Sequence, residues 1–267
     1  MPEIPHDVLT PLIGRATDLC DAGMELIDSL RAENGTGVTM PESTLVRLHF
    51  VASSTYRSAL LCLWMPETSL AAYGLTRGLL EIWAHLAFIA DDASGGDARC
   101  RALRYERGAL AEWSATMKKA PDSYDRDTWQ VRHDERQRDV DALWDEFCCK
   151  GSPRTRSHVK STLDSLSKQP TMGWIPGVWS ASSAATHAYG VDFTLHSRDG
   201  TTELVWALAS QRATWLAFAV ASFDYLTVTA ANLLGEGELR INIFQQAARG
   251  LLEDEMLGRV ARREFDP

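Results

Sequence analysis

The feature that most constrains this chain is the stretch Ala213 to Leu234, ATWLAFAVASFDYLTVTAANLL, 22 residues carrying one charge, Asp224. A segment of that length is long enough to cross a bilayer. Asp224, Asn232 and three threonines oppose insertion, however, Gln211-Arg212 stand just upstream, and no positive flank follows. A long helix through the middle of a helical bundle accounts for the segment better, and no membrane is expected as a partner.

Helical periodicity extends over nearly the whole chain. A first helix is expected from about Pro5 to Glu33, with Leu9, Leu12, Ile13, Leu19, Leu26, Ile27 and Leu30 inward, ending at Asn34-Gly35-Thr36-Gly37. A second follows Pro41 and carries Leu45, Leu48, Val51, Tyr56, Leu60 and Leu63. A third runs from Glu67-Thr68-Ser69 to Ala90, a fourth from Asp97 to Lys119, and a charged fifth from Asp127 to Lys150 with Val131, Val140, Leu143, Trp144 and Phe147 inward. A short helix is expected near Ser157–Lys168 and another over Val178–Tyr189. Val191–Gly200 reads as irregular, either a short strand pair or an ordered loop, before a long helix Thr201–Leu234 and a last one from Glu236 to Arg249 or beyond.

The class expected is all-α, a single large antiparallel bundle of eight to nine helices, because the loops are short and no long strand-period run is present. Residues 1–40 form an N-terminal helix packing on the bundle, 41–255 the core, and 256–267 a frayed tail.

Composition narrows the function classes. Apolar residues make up 45% of the 267 and charged residues 24%, which excludes a disordered or rod-like chain. The formal charge of −9 excludes a uniformly basic nucleic-acid coat. Only residues 97–160 are net positive, at +2, with interspersed signs that fit a solvated charged helix better than a polyanion surface. The five cysteines (Cys20, Cys62, Cys100, Cys148, Cys149) include no Cys-x-x-Cys pair, and adjacent Cys148-Cys149 would strain a mutual disulfide. All five are expected as reduced thiols in a cytoplasmic protein, and the N-terminus MPEIPHDVLT lacks the pattern of a signal peptide.

Two polar ridges interrupt otherwise apolar or small-residue helices. Arg77, Glu81 and His85 recur every four residues on the third helix, along one face. Trp179, Ser183 and His187 do the same on the seventh, among Ala181, Ser182, Ala184 and Ala185. Each ridge is either a set of mutually paired groups fixing helix register or one wall of a polar pocket. His187 suits a general base or a donor to phosphate or carboxylate, whereas Ser183 lacks the strained turn and oxyanion donors of a nucleophile. Glu81, His85 and His187 with Asp192 or His196 are the one conceivable metal set, but the ferritin-like Glu-x-x-His pattern is absent, and neither metal nor cofactor is expected. His6, His49, His133 and His158 stand alone and read as ordinary surface or core residues.

The Arg77…Glu81 and Trp179…Ser183…His187 spacings resemble those of an uncharacterised family of bacterial all-helical proteins, in which an Arg-x-x-x-Glu helix precedes an aromatic-x-x-x-Ser-x-x-x-His helix by about a hundred residues. Trp179 stands where that family has Tyr. The family is in turn distantly similar to HEPN-like domains, many of which are metal-independent ribonucleases of defence and toxin systems. Their Arg, four to six residues, then His signature is missing here: Ser, Ala and Thr precede His187, and Arg154…His158 has three residues between. The resemblance implies a phosphodiesterase directed at RNA or a nucleotide if Arg77 supplies the missing arginine. His187, Arg77 and Glu81 would then be catalytic, with His85, Ser183, Trp179 and His196 binding substrate, in a homodimer. The alternatives are a non-catalytic helical binding or dimerisation module, and a small-molecule enzyme with a pocket walled by Trp83, Trp179, Trp206 and Trp215.

Overall fold

In the computed structural model the described residues are 6–33, 40–65, 68–91, 96–119, 121, 125–147, 159–186, 195–198, 201–204, 209–235 and 237–262. They are overwhelmingly helical. In chain order the elements are α1 (His6–Glu33), α2 (Met40–Trp64), α3 (Ser69–Ala90), α4 (Ala98–Lys119), α5 (Arg126–Glu146), α6 (Val159–Leu166), α7 (Ile175–Thr186), β1 (Leu195–Arg198), β2 (Thr201–Leu204), α8 (Ala209–Leu234), α9 (Glu238–Leu252) and α10 (Glu255–Ala261).

Helix α8 holds the centre that its composition suggests. It packs against α1, α2, α3, α9 and α10, and Ala213, Leu216, Ala219, Val220, Phe223, Leu226 and Ala230 are all buried. Of its apolar window, 61% is buried inside the fold, so its length and composition serve as a core helix here. Helix α3 is the second hub, touching α2, α4, α6, α7 and α8. An aromatic stack joins the two hubs: Tyr73 lies on Trp215 at 4.0 Å, Trp83 on Tyr225 at 5.2 Å, and Trp174 bridges Trp83 and Phe218.

A smaller core of Cys100, Leu103, Leu110, Val140 and Trp144 fastens α5 to α4. Val131, expected inward, is 58% exposed. The helical period explains this, because nine residues separate it from Val140, which puts the two on opposite faces.

Four helix ends are closed by named groups. Asp125 accepts from the Thr128 amide at the start of α5, and Asp254 accepts from the Met256 and Leu257 amides at the start of α10. Two buried arginines close C-termini. Arg212 donates through Nε to the Leu63 carbonyl at 2.7 Å and through Nη2 to that of Trp64 at 3.1 Å, ending α2. Arg101 donates through Nε to the Ile89 carbonyl at 2.6 Å, ending α3, and through Nη1 to the Gly96 carbonyl just before α4.

Several expectations are corrected. Ten helices are present among the described residues rather than eight or nine. Thr201–Leu204 is not the first turn of the long helix but the strand β2, paired antiparallel with β1 in the register Leu195 with Leu204 and Arg198 with Thr201. The helix itself starts at Ala209. From residue 255 the chain forms α10 instead of fraying, because Leu257 and Val260 are buried against α8. Cys20 and Cys62 are free thiols, but Cys100 is disulfide-bonded, so the expectation of five reduced thiols fails.

Candidate functional site

The two ridges meet at one residue. Helix α3 supplies Arg77 and Glu81 a turn apart, and the Arg77 Nε donates to Glu81 Oε1 at 3.0 Å. Helix α7 packs directly on α3. From it Ser183 accepts a hydrogen bond from Arg77 Nη1 at 2.8 Å, while the Trp179 ring lies beneath the guanidinium, 4.4 Å from its carbon. The Ser183 hydroxyl donates in turn to the Trp179 carbonyl at 2.7 Å.

The guanidinium is thus held on one edge, one corner and one face. Nη2 has no hydrogen-bond partner among the described residues, and the side chains of Arg77 and Glu81 are 24% and 41% exposed. A cation so fixed retains a donor for an anion and has little rotamer freedom left to lose on binding one.

The ridge then changes neighbour. One turn beyond Glu81, His85 turns towards α4, its ring 4.9 Å from that of Tyr105. Burial holds its pKa below the ordinary imidazole value, opposed by the carboxylates of Glu112 and Glu81, so the ring is neutral near pH 7. Burial likewise raises the Tyr105 phenol. Of the remaining predicted residues, His187 lies outside the described residues. His196 falls on β1 opposite Glu203, with nothing described of its side chain. Asp192, Trp206, His158 and the Cys148-Cys149 pair are also outside.

Among the described residues no three His, Cys, Asp or Glu side chains converge as a metal site. Trp83 and Trp215, proposed as pocket walls, are 2% and 6% exposed and belong to the aromatic stack of the core. Two surface hollows lie elsewhere. One of about 390 Å³ between α1 and α9 is lined by Leu26, Arg240, Ile243 and Phe244, and one of about 800 Å³ between α8 and α9 by Asn232, Asn242 and Gln245. Neither includes a residue of the two ridges.

Sequence reasoning passed over a second polar centre. Glu106 of α4 is 2% exposed, and its Oε1 accepts from Thr44 Oγ1 at 2.5 Å and from Arg47, with Arg136 Nη2 at 3.3 Å. This ties α2, α4 and α5 together. The available signal was its position three residues after Leu103 and four before Leu110, a carboxylate on the apolar stripe of its helix. His49, one of the four histidines read as ordinary surface or core residues, lies in the core: it is 2% exposed, its Nε2 lies 3.1 Å from Thr227 Oγ1, and burial lowers its pKa to about 4.

No family model, curated protein or solved structure matches the chain.

Proposed function

We propose that the Arg77 cluster binds a phosphate-bearing ligand, a nucleotide or a short RNA, and that the chain is a HEPN-like, metal-independent phosphodiesterase acting there. The observation that carries this reading is the fixed guanidinium of Arg77, clamped by Glu81, Ser183 and Trp179 with Nη2 left over. In this scheme Arg77 binds the developing phosphate charge, Glu81 orients it, and His187, one turn beyond Ser183 in the sequence, moves the proton. His196 contacts the substrate, whereas His85, turned towards α4, borders the site without reaching the Arg77 centre. The same reading takes the helices as one antiparallel bundle in a homodimer. A net charge of −9 favours a small ligand over a long polyanion.

Binding of a nucleoside monophosphate and of a short single-stranded RNA, titrated at several salt concentrations, tests the first half. Arg77→Lys keeps the charge and loses the fork, and is expected to weaken binding at least tenfold; unaltered affinity overturns the assignment. RNA cleavage by the wild type, lost in His187→Ala at unchanged thermal stability, tests the second half. A non-catalytic reading has one observation in its favour: Ser183 both accepts from Arg77 and donates to the Trp179 carbonyl, a closed tie between α3 and α7. Under that reading Arg77→Ala lowers stability, and no wild-type phosphate binding is measured.

A further inference from the structure

One face of α2 is exposed along its length and carries large apolar side chains towards both ends. Phe50, Val51, Leu61, Trp64 and Met65 are 68%, 46%, 53%, 47% and 37% exposed, separated by exposed Ser54, Arg57 and Ser58. Val51, a core position by sequence periodicity, belongs to this stripe instead. Together the five apolar side chains leave on the order of 500 Å² in water, in two groups at either end of the polar Ser54, Arg57 and Ser58.

The stripe is self-complementary. A twofold axis across α2 between Arg57 and Ser58 sets Phe50 against Met65, Val51 against Trp64 and Ser54 against Leu61 of an antiparallel copy. Large meets large at both ends, and near the middle a leucine meets a serine. Ser58 donates internally to the Ser54 carbonyl at 2.9 Å, so its hydroxyl needs no partner across the axis. The two cations on this face are already neutralised within the chain, Arg57 by Asp21 and Arg47 by Glu106. That leaves little for an acidic partner or an anionic lipid surface to recognise.

We propose that the α2 face is the isologous interface of a homodimer, in which α2 pairs antiparallel with its copy about an axis between Arg57 and Ser58. With the serines and the Arg57 stem included, the face would bury more than about 1,000 Å² over both subunits, which reaches the lower range of specific interfaces. This surface is separate from the Arg77 cluster, and its failure would leave that site untouched.

Sedimentation equilibrium of the full chain is expected to show a dimer in the micromolar range. Leu61→Arg, at a position already half in water, should weaken it at least a hundredfold with an unchanged circular dichroism spectrum. Ser58→Cys, beside the axis, should give a disulfide-linked dimer through the introduced thiols under mild oxidation. Phe50→Cys, whose copies would lie about 22 Å apart along the helix by helical rise, should not. A wild-type monomer at 100 μM, a dimer indifferent to Leu61→Arg, or cross-linking at position 50 in place of 58 overturns the proposal. So does a monomer that binds phosphatidylcholine vesicles through this face.

Discussion

Replacing Asp224 with asparagine should make the protein more stable in alkaline than in acidic buffer, relative to wild type. Asp224 is the lone charge of the central helix's apolar stretch, 6% exposed, and its Oδ1 has no hydrogen-bond partner among the described residues. Burial raises its pKa from 3.8 to about 7, with only Arg249 opposing. Because the folded value exceeds the unfolded one, the native state holds the proton longer. The associated stability is complete below about pH 4 and is lost as the pH climbs through 7. The whole span corresponds to about 4 kcal/mol at 1.36 kcal/mol per pH unit. Between pH 5 and pH 8 the expected loss is about 2–3 kcal/mol. Asparagine does not titrate. Any cost of burying its amide, about 1–3 kcal/mol, is constant with pH and cancels when two pH values are compared. Urea denaturation followed by tryptophan fluorescence at pH 5 and pH 8 therefore reads the carboxyl alone, as the change with pH of the difference between variant and wild type. A difference that stays constant to within about 1 kcal/mol, or that favours the variant at pH 5, would refute a buried, proton-holding Asp224.

His49 should act with the opposite sign. Its folded pKa of about 4 lies below the ordinary 6.5, so its stability is present above pH 6.5 and lost on acidification towards 4. His49→Gln should flatten the acid limb of the stability curve by up to about 3 kcal/mol, measured by the same denaturation series. Arg212→Met keeps the buried stem but strands the Leu63 and Trp64 carbonyls at the end of α2. It should cost about 2–4 kcal/mol, and hydrogen exchange should show the loss concentrated in the last turn of α2. Gly23→Ala would place a methyl 3.0 Å from the Phe223 ring and 3.2 Å from that of Phe244. Two packed aromatic rings cannot both yield, so a loss of about 1–3 kcal/mol is expected in thermal unfolding; an unchanged midpoint would mean that this part of the core is loosely packed.

What could be read from the sequence was whatever depends on neighbours along one helix. Leu9, Leu12, Ile13, Leu19, Leu26, Ile27 and Leu30 are all buried on α1 as the 3.6-residue period requires. The Arg77–Glu81 contact follows from spacing alone, since residues four apart on a helix touch. Its junction with Ser183 does not, because nothing local says which of several helices will lie against α3. The hairpin had a legible signal in Asp199-Gly200, the two residues between the paired strands, outweighed by the apolar run that continues into α8. Arg212 is the clearest case of what stayed hidden. Beside an apolar run it reads as a penalty against burial, yet it is 3% exposed and bonded to carbonyls nearly 150 residues earlier in the chain. The stranded carbonyls at the end of α2 created the need, and only the fold brings a cation to them. Glu106 and Asp224 divide on the same ground. Both are carboxylates on apolar stripes, one supplied with donors from two other helices and the other with none at Oδ1 among the described residues, so the same sequence signal produces an ionic tie in one place and a titrating acid in the other.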